Sequence, residues 1–133
     1  MGLDIGDKRT GVAVSDPLGW TAQGKTVITT TSNQELILEI KSLINQYEVE
    51  KVVVGLTKNM DGSVGDRAEK VLGLIEEIKK EVEIPVVTWD ERLSTAEAER
   101  KLLEADLSRA RRKEVIDKMA AVTILQSFLD KQN

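Results

Sequence analysis

Short apolar runs separated by turn residues recur along the chain, and they predict five β-strands. The first two runs are joined by Gly6-Asp7-Lys8-Arg9, which is typical of a hairpin turn. The fourth run, KVVVG, is continuously apolar, as in a strand that is covered on both faces. The predicted strands span residues 2–6, 10–15, 21–30, 51–55 and 85–89.

Apolar residues at helical spacing predict four helices between and after these strands. Two Ser/Glu pairs three positions apart, Ser32 with Glu35 and Ser94 with Glu97, form the capping-box pattern that begins a helix. The last helix follows a basic loop. The predicted helices span residues 32–47, 66–82, 94–105 and 113–130.

The resulting order, βββαβαβαα, indicates an α/β fold. Three antiparallel strands followed by two parallel ones fit one mixed five-stranded sheet, because right-handed crossovers place helices on both of its faces. We expect the first strand at the centre beside the fourth, with the fifth beyond the fourth. No repeat, low-complexity tract or linker divides the chain, so residues 1–133 are predicted to form a single domain.

Composition restricts the chemistry. The 133 residues include no histidine and no cysteine, which excludes Ser-His-Asp and Cys-His catalysis, His-ligated zinc and disulfides. The formal net charge of −4 counts against a general nucleic-acid binder, although SRARRK at 108–113 concentrates positive charge. With no membrane-length apolar run and no signal-peptide pattern, we expect a cytoplasmic protein without membrane contact.

Acidic residues from three distant segments indicate one site. Asp4 interrupts an apolar strand, where an unpaired charge is costly. Asp90 and Glu91 close the fifth strand, and Asp117 lies on the apolar face of the last helix. The predicted fold turns these acids toward one region, where a divalent cation would relieve their repulsion. A site made of carboxylates alone favours Mg²⁺ or Mn²⁺.

Each acid also has a structural interpretation. Asp4 fits an edge or turn residue paired to arginine, and Asp117 fits a first-turn acid that interacts with the helix dipole. Asp90 and Glu91 fit solvated residues before a helix. The fourth strand would separate the first and fifth by roughly 9.5 Å. We therefore prefer Glu91, which is longer and lies on the face opposite to Asp90, and interpret Asp90 as an ion-pairing residue.

Four stretches carry a resemblance to a known family: MGLDIGDKRTGVAVSD, VVVGLTKNMDGSVG, TWDERLST and VIDKMAAVTILQSFL. In matching order over nearly the whole chain, they resemble the YqgF family of pre-16S ribosomal RNA nucleases, also described as Holliday junction resolvases. The resemblance implies a ribonuclease H-like fold and a metal-dependent nuclease for structured nucleic acid. Two positions depart from the family pattern. Thr57 replaces a common proline, and only three residues precede Asp4.

The resemblance also implies roles for individual residues. Asp4, Glu91 and Asp117 match the catalytic, metal-holding acids. Arg9 and Arg92 would contact the scissile or a neighbouring phosphate, for which arginine is suited, or form ion pairs with nearby acids. Asn59 would contact the sugar-phosphate backbone or serve ordinary turn chemistry. The remaining candidates form a basic patch that would track a nucleic-acid backbone or a solvated loop: Arg109, Arg111, Arg112 and Lys113.

The expected function is cleavage at the 5′ end of precursor 16S rRNA, with ribosomal precursor particles as a further partner. Resolution of branched DNA is the alternative; it would favour a dimer, since two cuts need two sites. We expect a monomer or a weak homodimer. Two other classes compete. An ATP-binding protein of the actin and sugar-kinase type shares the D-x-G start but needs two domains. A non-catalytic nucleic-acid-binding module would have no need of three acids.

Overall fold

The computed structural model describes residues 1–56, 65–90 and 109–132, of which 109–114 are described by their backbone alone. Within these ranges the chain forms one five-stranded sheet in the order β3-β2-β1-β4-β5. Strand β1 pairs antiparallel with β2 and parallel with β4, and β4 pairs parallel with β5. The predicted central position of the first strand is therefore confirmed. The strands are β1 Gly2–Ile5, β2 Arg9–Ser15, β3 Ala22–Thr29, β4 Val52–Leu56 and β5 Val86–Asp90.

Helices cover both faces of the sheet, as predicted. Helices α1 (Asn33–Gln46) and α2 (Asp66–Glu81) pack on one face, where Leu3, Val12 and Val54 are fully buried. Helix α3 (Arg109–Gln132) packs on the other face with a smaller core around Val53 and Ile124. Side chains alternate along a strand, so neighbouring residues of one strand serve different cores. None of the helices in the described ranges has the length and apolar character that a membrane crossing requires.

The start of the last helix was predicted wrongly. Helix α3 begins at Arg109, four residues before the predicted start at Lys113, so the segment interpreted as a basic loop is helical. The physical reason is that arginine, alanine, lysine and glutamate all favour helix and no glycine or proline interrupts them. The predicted helix over 94–105 lies outside the described residues.

The capping box at α1 is only half formed. The Ser32 hydroxyl accepts the Glu35 backbone N–H at 3.3 Å, as predicted. The Glu35 carboxylate instead accepts the Thr30 hydroxyl at 2.7 Å, and Thr30 Oγ1 accepts the Ser32 N–H at 3.0 Å. Thr30 therefore relays the second contact and fixes the end of β3 against α1. Its own N–H donates to the Lys8 carbonyl, which ties the β1–β2 turn to the same place.

Stability should rise with pH between about 6 and 8 in a polypeptide that begins at Met1. The Met1 amino group is buried and donates to the Lys51 carbonyl at 2.9 Å, and desolvation lowers its pKa from 8.0 to about 6. Over this window the unfolded chain binds more protons than the folded chain, so raising the pH favours folding by at most about 2–3 kcal/mol. Below pH 6 this contribution is absent, and above pH 8 it is complete.

Urea unfolding at pH 6, 7 and 8 measures this effect. The absence of histidine and cysteine keeps the window free of their titrations. An acetylated Met1 is the control, because it has no amine to protonate and should show a flat profile. Equal slopes for the free and the acetylated chain would contradict a desolvated amine.

Candidate active site

Asp4 lies on the face of the sheet that α3 covers. Its direct partner across the β1–β2 ladder is Gly11, and residues paired in this way project to the same face. Gly11 shares that face with Ala13, which belongs to the core under α3. The interpretation of Asp4 as an edge residue is thus wrong, since β1 is the central strand. Asp4 is only half-buried, near the carboxyl end of β1.

Glycine occupies the positions on both sides of Asp4. The register that pairs Leu3 with Val54 brings Gly55 of β4 next to Asp4, opposite to Gly11 of β2. Neither neighbour therefore has a side chain that would cover the carboxylate. Such an opening at the carboxyl ends of parallel strands is where α/β sheets bind ligands.

Helix α3 touches the sheet directly at Gly11. A Cβ atom built on Gly11 would overlap the backbone carbonyl of Asp117 and lie 3.3 Å from the Lys118 nitrogen. Only glycine lets the helix backbone come this close. Because Asp4 and Gly11 are cross-strand partners, this contact brings Asp117 to the immediate neighbourhood of Asp4. The structure thus unites two of the three predicted acids, which are 113 positions apart in the sequence.

Arg9 joins the two acids at this place. Its Nε donates to Asp117 Oδ2 at 2.7 Å, with side-chain exposures of 37% for Arg9 and 17% for Asp117. Of the two interpretations of Arg9, the structure therefore contains the ion pair. Asp117 is the ninth residue of α3, so its interpretation as a first-turn acid is wrong. The pair balances one carboxylate charge and occupies one of the two Asp117 oxygens.

The donor set suits a hard divalent cation. Asp4 and the second oxygen of Asp117 are carboxylate donors, and the chain has no histidine or cysteine to favour a softer metal. Within residues 1–56, 65–90 and 115–132, no group of three acidic side chains gathers closely enough to hold an ion. The third predicted ligand, Glu91, lies outside the described residues, as do Asn59 and Arg92.

Strand β5 is anchored to α3 through Trp89. Its indole Nε1 donates to the Ser127 hydroxyl at 3.0 Å, and its ring meets Phe128 edge-on with centroids 5.6 Å apart. Trp89 and Val87 thus face α3, whereas Val86 belongs to the core under α1 and α2. By alternation Asp90 lies on the face away from α3, as the sequence predicted. This anchoring fixes the level of the β5 end relative to Asp117.

The predicted basic patch is the beginning of α3. Arg109, Arg111, Arg112 and Lys113 precede Asp117 on the same helix. With a rise of about 1.5 Å per residue, they begin about 6 Å from Asp117 along the axis and extend to about 12 Å. Positive charge at a helix N-terminus opposes the helix dipole, and no acid lies in this first turn. The arrangement therefore adds nothing to helix stability.

Breaking the Arg9–Asp117 pair should cost stability measurably. In a double-mutant cycle with Arg9→Gln and Asp117→Asn, we expect a coupling of about 1 kcal/mol, because the short bond is only partly exposed. Urea unfolding of the four proteins gives this value. The matched control is Lys41–Glu81, an exposed pair 3.4 Å apart, for which the coupling should be close to zero. Equal couplings in the two cycles would contradict a structural role for the Arg9 pair.

The fold and the paired acids define the class of protein. A search of solved structures found Thermus thermophilus RuvC in complex with a Holliday junction substrate, with a TM-score of 0.61 and 16% identity, covering 98% of this chain and 93% of that one. A second Thermus thermophilus RuvC structure matches with a TM-score of 0.52. The fold is ribonuclease H-like, as the sequence resemblance implied.

Within this class the family is also defined. The model "RuvX: Holliday junction resolvase" matches residues 1–131, so the chain belongs to the RuvX family, which is the YqgF family of the sequence resemblance. Relatives named "Putative pre-16S rRNA nuclease" match along their whole length. The Desulforamulus reducens protein is 55% identical over 130 residues, covering 98% of this chain and 95% of its own. The Halothermothrix orenii protein is 58% identical over 133 residues, covering 100% and 95%.

Proposed function

We propose that this protein is a metal-dependent endonuclease that cleaves phosphodiesters of structured nucleic acid. The observation that carries the proposal is the approach of α3 at Gly11, which brings Asp117 beside Asp4 at the carboxyl edge of the sheet. Two carboxylates held together in a chain without histidine suit metal-assisted hydrolysis. The names of the RuvX model and of the relatives support the same reaction type.

In this proposal Asp4, Glu91 and Asp117 hold Mg²⁺ or Mn²⁺. The bound metal would activate water for attack and stabilise the charge that develops on the phosphate. Asp4 presents its carboxylate from a rigid central strand, and Glu91 would reach from the end of β5 and orient the attacking water. Arg9 keeps Asp117 Oδ2 occupied, which leaves the other carboxylate oxygen of Asp117 as the donor.

Nucleic acid would approach along the beginning of α3. The basic residues Arg109, Arg111, Arg112 and Lys113 oppose the helix dipole, which is reasonable if they meet phosphates. The same helix N-terminus attracts anions. Arg92 and Asn59 are the further candidates for backbone contacts. Binding through such contacts should weaken steeply with salt because counterions are released.

The favoured substrate is the 5′ end of precursor 16S rRNA, which the names of the full-length relatives support. Resolution of a four-way DNA junction is the second candidate, favoured by the family description and by the RuvC complex of the same fold. A single domain over residues 1–133, a cytoplasmic location, contact with ribosomal precursor particles and a monomer or weak homodimer complete the proposal.

The test is cleavage of two end-labelled substrates, a precursor 16S rRNA end and a four-way DNA junction. Each is incubated with the protein in Mg²⁺, in Mn²⁺ and in EDTA. We expect cutting in either metal and none in EDTA, and the faster substrate identifies the role. If neither substrate is cut in any metal, the nuclease proposal is wrong for the isolated chain. Cutting that persists in EDTA would reject the metal mechanism.

A further inference from the structure

A second pocket lies beside the candidate active site, on the opposite face of the sheet. It has a volume of about 350 Å³, within the range of small-ligand sites. The β1–β2 turn, the beginning of α1 and the first half of α2 form its walls. Its lining includes Ile5, which belongs to the core under α1 and α2, whereas Asp4 faces α3. The β1–β2 turn therefore separates this pocket from the acids.

Two cations line the pocket, Arg67 and Lys70 of α2. They are three positions apart and so share a side of the helix. The Arg67 guanidinium is directed at the β1–β2 turn, because its Nη2 atom lies 3.8 Å from where a Cβ on Gly6 would be. Among the residues that the structure describes, neither cation has a carboxylate within ion-pair distance.

Helix stability does not explain these cations. Arg67 is the second residue of α2, where the helix dipole disfavours positive charge. Asp66 and Glu69 in the same first turn already provide the favourable acids. A cation that opposes the dipole and has no carboxylate partner in the described part of the chain is placed for an external anion.

Two carboxylates also line the pocket, at its ends. Glu77 lies seven residues beyond Lys70, about 10 Å along the helix axis. Asp7 lies at the exposed tip of the β1–β2 turn. Between them, Arg67 and Lys70 face the beginning of α1, where Asn33 lines the wall and the first amides have no partner within the helix. The middle of the pocket is thus rich in donors.

The pocket adjoins the acids closely enough for one nucleic-acid strand to reach both. Gly6, in its lining, follows Asp4 by two residues, which corresponds to about 7 Å of extended chain. This is about twice the rise per nucleotide in a duplex strand. A strand with its scissile phosphate at Asp4 would therefore bring a phosphate one or two nucleotides away to the β1–β2 turn.

We propose that Arg67 and Lys70 form a second phosphate site, which holds the strand flanking the point of cleavage. The proposal rests on the nuclease function proposed above and adds to it a subsite on the other side of the β1–β2 turn. The ligand chemistry is a phosphate group, and the experiment separates a phosphate within a strand from that of a free nucleotide.

The test uses binding in EDTA, so that no cleavage occurs. The double variant Arg67→Gln/Lys70→Gln is compared with Lys79→Gln/Lys80→Gln, which removes the same charge from the last turn of the same helix. The probe is a fluorescein-labelled single-stranded oligonucleotide titrated at several salt concentrations. For the pocket variant we expect the slope of log affinity against log salt to fall by 1 to 2, since each lost phosphate contact removes about one. For the control variant the slope should stay that of the wild type.

Amide chemical shifts locate the contact. Inorganic phosphate and adenosine 5′-monophosphate, added separately to the wild type in EDTA, should each shift the Gly6 and Asn33 amides, and should not do so in the pocket variant. Equal salt slopes for the two double variants would overturn the flanking-strand site. If the monophosphate shifts these amides while the slopes stay equal, the pocket takes a free nucleotide and the proposal is wrong.

The same proteins distinguish this inference from the nuclease proposal. Cleavage by the wild type combined with equal salt slopes would reject the phosphate subsite alone. A reduced slope for the pocket variant, together with no cleavage by the wild type in any metal, would reject the nuclease proposal and leave a phosphate-binding surface.

Discussion

Replacing Asp4 by asparagine should abolish cleavage while leaving the fold intact. Asparagine has nearly the same shape as aspartate, and it keeps the β1 backbone pairing with β2 and β4. It lacks the negative charge that holds a divalent cation. Since a catalytic metal supplies several kcal/mol of transition-state stabilisation, we expect the rate to fall about 10³-fold or more. Initial rates on the preferred substrate in Mg²⁺ and Mn²⁺ measure this.

Two further measurements separate lost chemistry from lost structure. Mn²⁺ affinity measured by titration calorimetry should fall together with the rate, whereas oligonucleotide binding in EDTA should be equal or tighter, because a negative charge has been removed. Asp16→Asn is the matched control. Asp16 accepts the Trp20 N–H at 2.8 Å in the β2–β3 loop, at the other end of the sheet. Its rate should stay within about twofold of the wild type, as expected for a surface change away from the site. An Asp4→Asn protein that cuts like the wild type would remove Asp4 from the mechanism.

The strand order was predictable because it depends on patterns within the sequence. The continuous apolar run of β4 indicated a strand covered on both faces, and the handedness of crossovers then left one arrangement of the parallel strands. The start of α3 was not predictable in the same way. A cluster of like charges resembles a loop, yet each of its residues favours helix and no breaker precedes Lys113.

The site was predictable only in part. The apolar face of α3 indicated that Asp117 turns toward the sheet, and Asp4 was out of place in an apolar strand. The choice between a phosphate and Asp117 as the partner of Arg9 depends on a helix 108 positions away, which no local pattern contains. The same holds for Arg67 and Lys70, which resemble any exposed helical cations until the β1–β2 turn is placed beside them. The roles of Glu91, Arg92 and Asn59 stay predictions.

The contact at Gly11 leads to the second large effect, which is expected for Gly11→Ala. The added methyl group would overlap the Asp117 carbonyl group, and both sides of this contact are backbone, so no side-chain rotation can relieve it. Helix α3 must move away from β2. Overpacking of this kind costs about 1–3 kcal/mol, which for a chain of this size lowers Tm by roughly 5–10 °C. The displacement also takes Asp117 away from Asp4, so we expect cleavage and Mn²⁺ binding to be lost.

Two glycine variants show whether this loss is specific to the contact. Gly73→Ala lies in the interior of α2 with no atom within 4 Å of the new methyl group, so it should stabilise the protein by about 0.5–1 kcal/mol. Gly24→Ala lies under the same helix as Gly11, but its Cβ would make ordinary contacts, the nearest at 3.4 Å to Lys118 Cβ. We expect both controls to cleave at the wild-type rate. If Gly11→Ala also keeps wild-type Tm and wild-type cleavage, the close approach of α3 is not what positions Asp117. If it loses cleavage while Tm stays unchanged, the approach serves the site alone, and the sheet tolerates a displaced helix.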